Sequence, residues 1–189
     1  MLMAVDAAIS VLRWDSTVAG SVDASQRWIL TAMQTHGMAL VTMLWRLLGN
    51  EQDVCDAYQQ TFLNMAHMED RRKPDNVQAY LFRTAANAAI SMLRHRQIRQ
   101  RSVGVITAND NTAHRVDYAY DLDTKLLQEK LRSAISQLPE YLKQVVILRE
   151  LAEMPYARVG KILGISAATA RVYRSKAITL LAALMAKTK

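Results

Sequence analysis

Two arginines near the end of the chain, Arg171 and Arg174, are spaced to act together on a nucleic acid. Residues three apart on a helix share a face, and guanidinium groups there can bind a phosphate or the edge of a guanine. Both belong to a stretch from residue 154 to the end that contains seven Lys or Arg and no acidic residue. This pattern predicts binding of a polyanion.

A second basic block covers residues 71–101, where eight cationic side chains stand against one acidic residue, Asp75. The preceding residues 47–70 contain five acidic side chains and no Lys or Arg. The formal charge of +7 is therefore concentrated in two blocks with acidic stretches between them. Such clustering indicates two polyanion-binding surfaces. The alternative, two ordinary solvated helix faces, stays open at this point.

The composition argues against several other kinds of site. Cys55 is the single cysteine, so a disulfide framework is excluded and a reducing cytosol is favoured. The four histidines lack metal-ligand spacing, and no catalytic triad or phosphate-cradling glycine loop is present. We therefore expect a cytoplasmic protein without enzyme activity, cofactor or metal. The first residues lack the basic start of a signal peptide, and the most apolar run, Met38–Leu48, is too short to span a bilayer.

A helix-turn-helix is predicted near the end of the chain. Tyr156–Leu163 has the pattern of a short helix, Gly164 supplies the left-handed backbone of a tight turn, and Ser166 is a good N-cap for a second helix. Gly160 lies where the first helix must let another backbone come close. The second helix of such a motif enters the DNA major groove. An ordinary helical corner in a bundle is the alternative, since helix pairs joined by Gly are common.

Apolar periodicity predicts an all-α protein with two small helical domains joined by a flexible linker. An N-terminal extension is expected at residues 1–24 and a first domain at 25–100. The linker at 101–123 is expected because Gly, Asn, Asp and Thr replace the helical periodicity there. The second domain is expected at 124–187.

Local signals also place the helices of the first domain. Gly49 is a C-cap signal and Asn50 an N-cap signal for the following helix. An apolar stripe along that helix predicts core residues, namely Val54, Tyr58, Phe62 and Met65. Asp75, followed three residues later by Gln78, resembles a capping box that starts a long helix.

Three segments, in this order and spacing, resemble the extracytoplasmic-function sigma factors of bacterial RNA polymerase, which belong to the sigma-70 family. Residues 46–65, RLLGNEQDVCDAYQQTFLNM, resemble the helix with which that family binds core polymerase. Residues 79–96, AYLFRTAANAAISMLRHR, are similar to the segment that opens the −10 promoter element. Residues 138–177 resemble the domain that reads the −35 element. The resemblance implies two helical domains, called region 2 and region 4.

The resemblance also implies a function and a set of site residues. The protein would be the promoter-specificity subunit of RNA polymerase, with core RNA polymerase, promoter DNA and an anti-sigma factor as partners. The core-polymerase site would comprise Asp53, Asp56, Gln59, Gln60 and Phe62. The −10 strand would be held by Arg83, Arg94, Arg96 and Arg99, and Asn87 would touch an extruded base. The −35 duplex would be read by Ser166, Thr169, Arg171, Val172 and Ser175, with Arg174 and Lys176 on phosphates.

Two other functions stay open from the residues by themselves. A stand-alone helix-turn-helix regulator would bind operator DNA without polymerase. Such a regulator needs neither an acidic helix with Gln and Phe nor a second helix rich in Arg. An all-helical adaptor without a role on DNA would leave both basic blocks unexplained.

Overall fold

The structure is a computed structural model that describes residues 27–67, 73–102 and 118–187. Within these ranges it contains seven α-helices, one short π-helical segment and no β-strand, which confirms the predicted all-α fold. None of these helices is long and apolar enough to cross a membrane. The predicted N-terminal extension lies outside the described residues. The helices are α1 (Arg27–Leu48), α2 (Glu51–Ala66), α3 (Val77–Ser102), α4 (Tyr118–Gln137), α5 (Glu140–Val146), α6 (Tyr156–Leu163) and α7 (Ala167–Lys187), and the π-helical segment Ile147–Leu151 follows α5 directly.

Helices α1 to α3 pack as one group because each buries an apolar stripe against the other two. On α2 the predicted core stripe is buried as expected, from Val54 to Met65. Gly37, in the middle of α1, is also buried, and a β-carbon there would lie 3.1 Å from the hydroxyl oxygen of Tyr58. This glycine is unfavourable for the helix by propensity, but it allows α1 and α2 to pack closely.

Side-chain caps mark the starts of α2 and α3. Asn50 caps α2 as predicted, because its Oδ1 accepts a hydrogen bond of 2.8 Å from the Asp53 amide. The predicted cap of α3 at Asp75 is wrong. Asn76 is the cap, and its Oδ1 accepts a hydrogen bond of 3.0 Å from the Ala79 amide. Asp and Asn cap helices about equally well, so residue type alone does not separate two neighbouring candidates.

The predicted helix-turn-helix is present in α6 and α7. Gly164 adopts the left-handed conformation, with φ 69° and ψ 31°. Ser166 caps α7, because its Oγ accepts a hydrogen bond of 2.9 Å from the Thr169 amide. A β-carbon at Gly160 would lie 2.6 Å from the carbonyl oxygen of Ile165, so the turn returns closely against α6 as expected.

The helices on either side of the predicted linker extend into it. Helix α3 runs to Ser102, and α4 begins at Tyr118 rather than near Thr124. Residues 103–117 lie outside the described ranges. The first turn of α4 was not predicted because its sequence, YAYDLD, is short, contains two acidic residues and follows a stretch without helical periodicity.

The two groups of helices, α1–α3 and α4–α7, pack directly against each other. Helix α3 contacts α4 and α6, and α1 contacts the π-helical segment. The buried apolar residues of both groups form a single hydrophobic cluster. The pattern of two domains and a linker did not predict this contact, because periodicity along one helix carries no information about distant helices.

Replacing Gly164 with Ala should lower the free energy of unfolding by about 1 kcal/mol, because a β-carbon strains left-handed backbone. Nothing lies within 4 Å of a β-carbon at this position, so the cost is conformational and not steric. Urea denaturation followed by circular dichroism measures it. Gly164→Asn is the matched control, since Asn tolerates this conformation better. An alanine variant as stable as the wild type would contradict the left-handed turn.

Candidate nucleic-acid interface

The predicted polymerase-binding residues other than Phe62 share one side of α2. At 3.6 residues per turn they fall within an arc of about 120°. This surface, called the acidic face below, consists of Asp53, Asp56, Gln59 and Gln60. All of its residues are exposed except Asp53, which is half-buried. Phe62 lies about 60° beyond the edge of this arc, is only 8% exposed, and has its ring 4.8 Å from that of Tyr58. In this structure Phe62 is therefore part of the core that supports the acidic face.

Helix α3 brings three of the five predicted −10 residues together. Arg83, Asn87 and Arg94 lie within an arc of about 40° at 3.6 residues per turn. These three residues form what we call the −10 face. Arg96 and Arg99 lie on the far side of α3, because each is offset from Arg83 by about 140° to 160°. The five residues therefore do not form one surface.

Two residues of the −10 face bind helices of the second group. Nη2 of Arg83 donates a hydrogen bond of 2.6 Å to the carbonyl oxygen of Ile162 near the end of α6. The Oδ1 of Asn87 accepts a long hydrogen bond of 3.5 Å from Nε2 of Gln144 in α5. Both residues remain exposed as a whole, so the second group contacts only the polar ends of their side chains.

The third residue of the −10 face, Arg94, shares a carboxylate with a lysine that sequence reasoning missed. Oε2 of Glu140 lies 3.5 Å from Nη2 of Arg94 and 3.4 Å from Nζ of Lys143. Lys143 is completely buried. Burial lowers its pKa, Glu140 partly offsets this, and Arg94 lowers the pKa further. The only sequence signal was a lysine inside an apolar run, and its spacing from Glu140 is equally typical of an exposed helix pair.

Arg96 lies outside the −10 face and contacts Asp53 of the acidic face. Its Nη2 donates to Oδ2 of Asp53, and its Nη1 lies 3.7 Å from Oε1 of Glu129 in α4. Asp53 also accepts a hydrogen bond of 2.8 Å from Nδ2 of Asn50. Asp53 is therefore engaged within the chain, and the accessible part of the acidic face is its other three residues.

Helix α7 presents a polar and cationic surface. Four predicted −35 residues on it are exposed, namely Arg171, Val172, Ser175 and Lys176, and Thr169 is half-buried. Arg174 is half-buried, and its Nε donates a hydrogen bond of 2.7 Å to Oε1 of Glu150. The guanidinium of Arg171 lies 5.2 Å from the centre of the Tyr156 ring, a cation–π distance. Across the described ranges, no group of three or more His, Cys, Asp or Glu is placed to hold a metal ion.

Known proteins match both groups of helices. The sigma-70 region 2 family model matches residues 32–99, and the sigma-70 region 4 model matches residues 128–181. The chain is 24% identical over 144 residues to the ECF RNA polymerase sigma factor SigE of Mycolicibacterium smegmatis. The matched residues make up 74% of this chain but only 54% of SigE. It is 29% identical over 138 residues to the RNA polymerase sigma factor CarQ of Myxococcus xanthus, covering 72% of this chain and 77% of CarQ. The chain belongs to the extracytoplasmic-function group of the sigma-70 family.

The fold of this sigma factor also resembles a solved structure, that of CnrH in complex with the cytosolic domain of CnrY. The TM-score is 0.51 at 20% identity, and the match covers 99% of this chain and 97% of CnrH. At this identity the likeness concerns the fold. In the sigma factor, the region 2 match contains the acidic face and the −10 face, and the region 4 match contains all of α6. Below, region 2 means α1–α3 and region 4 means α4–α7.

Ser166→Ala should lower the free energy of unfolding by about 1 kcal/mol, because it removes the cap of α7. Ser166→Asp retains a capping oxygen, so its stability should stay near that of the wild type. The added negative charge should nevertheless weaken binding to duplex DNA at low salt. Thermal unfolding and fluorescence anisotropy with a labelled duplex measure the two effects. An alanine variant of unchanged stability would show that the cap contributes nothing.

Lys143→Met should raise the free energy of unfolding at pH 7 by about 1 kcal/mol, because a buried charge is replaced by an apolar chain of similar length. The gain should narrow as pH rises toward 10.5, the ordinary lysine pKa, because the folded state releases the Lys143 proton at lower pH than the unfolded chain. Urea denaturation at several pH values measures both the gain in the free energy of unfolding and its dependence on pH. Lys161→Met, at an exposed site on α6, is the control. A less stable Lys143 variant would mean that the pair with Glu140 stabilises the fold.

Proposed function

We propose that this sigma factor is the promoter-specificity subunit of RNA polymerase, which binds the core enzyme and helps to open promoter DNA. One observation carries the proposal: the same chain presents an exposed acidic face on α2 and an exposed cationic recognition helix, α7. The two surfaces suit different partners. The acidic face is complementary to a basic protein surface, and α7 is complementary to a DNA duplex.

In this proposal the acidic face docks on core RNA polymerase. Asp56, Gln59 and Gln60 make the contact, while Asp53 orients the start of α2 through Asn50 and Arg96. Phe62 acts indirectly, by holding α2 against the core. The charge of this face would increase the rate of encounter and fix the orientation.

Region 2, proposed to extend over residues 25–100, also holds the −10 strand. Arg83 and Arg94 bind its phosphates, and Asn87 meets an extruded base, whose unstacking costs a few kcal/mol. Arg96 and Arg99 lie on the far side of α3, so they contribute to the electrostatic attraction more than to direct contact. This assignment is supported by the common face of the first three residues.

Region 4, whose boundary was predicted at residues 124–187 and whose first helix begins at Tyr118, reads the −35 duplex through α7. Arg171 and Val172 would face base edges, and Lys176 and Arg174 would bind phosphates. For Arg174 this requires exchange of Glu150 for a phosphate, since the two compete for the same guanidinium. Thr169 and Ser175 supply hydroxyl groups beside them, and Ser166 orients the helix.

The proposal includes no enzyme activity of the chain's own, because a specificity subunit directs a reaction that the core polymerase catalyses. The expected setting is the cytoplasm, where transcription takes place in bacteria. We also propose an anti-sigma factor as a regulatory partner, on the basis of the family. The segment between α3 and α4, within the predicted linker at residues 101–123, would connect the two promoter-binding surfaces along the chain.

Reversing the charge of the acidic face should abolish binding to core polymerase. The test variant is Asp56→Lys with Gln60→Lys, and binding is measured by fluorescence anisotropy with labelled sigma factor and bacterial core enzyme. The matched control, Asp123→Lys with Ala182→Lys, changes the net charge equally at exposed sites in α4 and α7. We expect a loss of at least about tenfold for the test variant and little change for the control. Equal affinity of the two variants would contradict the docking site.

A gel shift separates this function from that of a stand-alone regulator. A specificity subunit should bind a promoter duplex with high affinity only when core polymerase is added. Tight and specific binding by the free protein, unchanged by core polymerase, would contradict the proposal.

A further inference from the structure

The ring of Tyr156, at the start of α6, is shared by two arginines. The guanidinium of Arg149, in the π-helical segment, lies 4.9 Å from the centre of the ring, and that of Arg171, in α7, lies 5.2 Å from it. Both distances are within the range of about 6 Å over which an aromatic face attracts a guanidinium. Neither Tyr156 nor Arg149 belongs to the predicted −35 site.

The ring of Tyr156 is held in place by region 4 itself. It is half-buried and packs against the hydrophobic core. In the loop before it, Nη1 of Arg149 donates a hydrogen bond of 3.2 Å to the carbonyl oxygen of Met154, and the Met154 amide donates one of 3.0 Å to the carbonyl oxygen of Leu148. Met154 is only 5% exposed. The position of the ring therefore does not depend on bound DNA.

The two arginines on this ring differ in what else they can bind. Arg149 is half-buried, and its Nε is buried without a hydrogen-bond partner in the part of the chain that the structure describes. Arg171 is exposed, and among the described residues no hydrogen bond or ion pair engages its guanidinium. Arg149 is thus tied to the protein, whereas the N–H groups of Arg171 are available to a ligand.

Arg174, about 60° away from Arg171 around α7, is held in a different way. Its Nε donates to the carboxylate of Glu150, the residue that follows Arg149 in the π-helical segment. The segment and its neighbours therefore hold both arginines of α7, one through a carboxylate and the other through a ring. A carboxylate occupies an N–H donor, whereas an aromatic ring attracts the guanidinium without a hydrogen bond to oxygen. Of the two, Arg171 is the one prepared to bind the edge of a base.

We propose that Tyr156 is a positioning residue for base recognition, because its ring holds the guanidinium of Arg171 in place to read a guanine of the −35 duplex. The inference rests on the proposed function, since it takes Arg171 as a base-reading residue. A side chain that is already held loses less freedom on binding, which raises affinity. Guanine is the expected base, since its O6 and N7 accept two N–H groups of one arginine. The role belongs to the ring and not to the hydroxyl group of Tyr156.

Substitutions of Tyr156 test this role in the holoenzyme, assembled from the full chain and bacterial core polymerase. The holoenzyme selects duplexes from a library with a randomised upstream sequence, and affinity for the selected duplex is measured by fluorescence anisotropy. Tyr156→Leu should bind about two- to fivefold more weakly and should lose its preference for guanine at the same position as Arg171→Ala. Tyr156→Phe keeps the ring and should bind like the wild type. A phenylalanine variant as weak as the leucine variant would contradict the proposal.

A double-mutant cycle shows whether Tyr156 acts through Arg171. In the Arg171→Ala background, Tyr156→Leu should cause no further loss of affinity. A loss as large as in the wild-type background would overturn the proposal.

Tyr141→Leu is the matched control. Tyr141 is 53% exposed, and its ring lies 5.0 Å from that of Tyr173, which is about 160° away from Arg171 around α7. This variant also removes a ring that packs on α7, and it should bind the duplex like the wild type. Equal losses for Tyr141→Leu and Tyr156→Leu would contradict a specific role of Tyr156.

Failure of this inference is distinguishable from failure of the proposed function. If Arg171→Ala changes the selected sequence and Tyr156→Leu does not, the positioning role is wrong and the proposed function stands. If the holoenzyme selects no common upstream sequence, the proposed function is wrong. A general loss of stability in Tyr156→Leu, measured by thermal unfolding, would not change the preference at one base position.

Discussion

The guanidinium groups along α3 need oxygen partners, and the rest of the structure depends on which oxygens they bind. In the folded chain these include the carbonyl oxygen of Ile162 and the carboxylates of Glu140 and Asp53. An arginine stays charged at any physiological pH, so it must always be either hydrated or paired. Because two of these partners belong to region 4, the arginines proposed to hold promoter DNA also join the two regions. Promoter phosphates are acceptors of the same kind, so one set of oxygens can replace the other.

This arrangement suggests an order of events for the proposed function. The exposed residues of the acidic face and of α7 are accessible in the folded chain, whereas the side chains of the −10 face contact region 4. Core polymerase can therefore dock first. Lys143 adds a cost to this contact, because the nearby Arg94 and its own burial both lower the pKa of its ammonium group.

The sequence predicted the caps and turns, which depend on neighbouring residues, and missed the contacts between residues far apart in the chain. The left-handed turn at Gly164 and the caps at Asn50 and Ser166 follow from short-range chemistry, and the structure has all three. Asn76, and not the predicted Asp75, caps α3, because residue type made both suitable as caps. Phe62 shows two signals in conflict, since the family motif placed it in a binding site while the apolar stripe placed it in the core, where it lies. The contact between Arg83 and Ile162 joins residues 79 positions apart, and no local pattern indicates it.

The most direct test of the central claim, that one chain holds a promoter at two places for core polymerase, is transcription in vitro. Core enzyme and the purified sigma factor would be incubated with a library of genomic fragments, and the 5′ ends of the transcripts would be mapped. The account predicts start sites that depend on the added protein and share two upstream sequence motifs at a fixed spacing, near −10 and −35. Start sites that are unchanged by the protein, or that share only one motif, would contradict it.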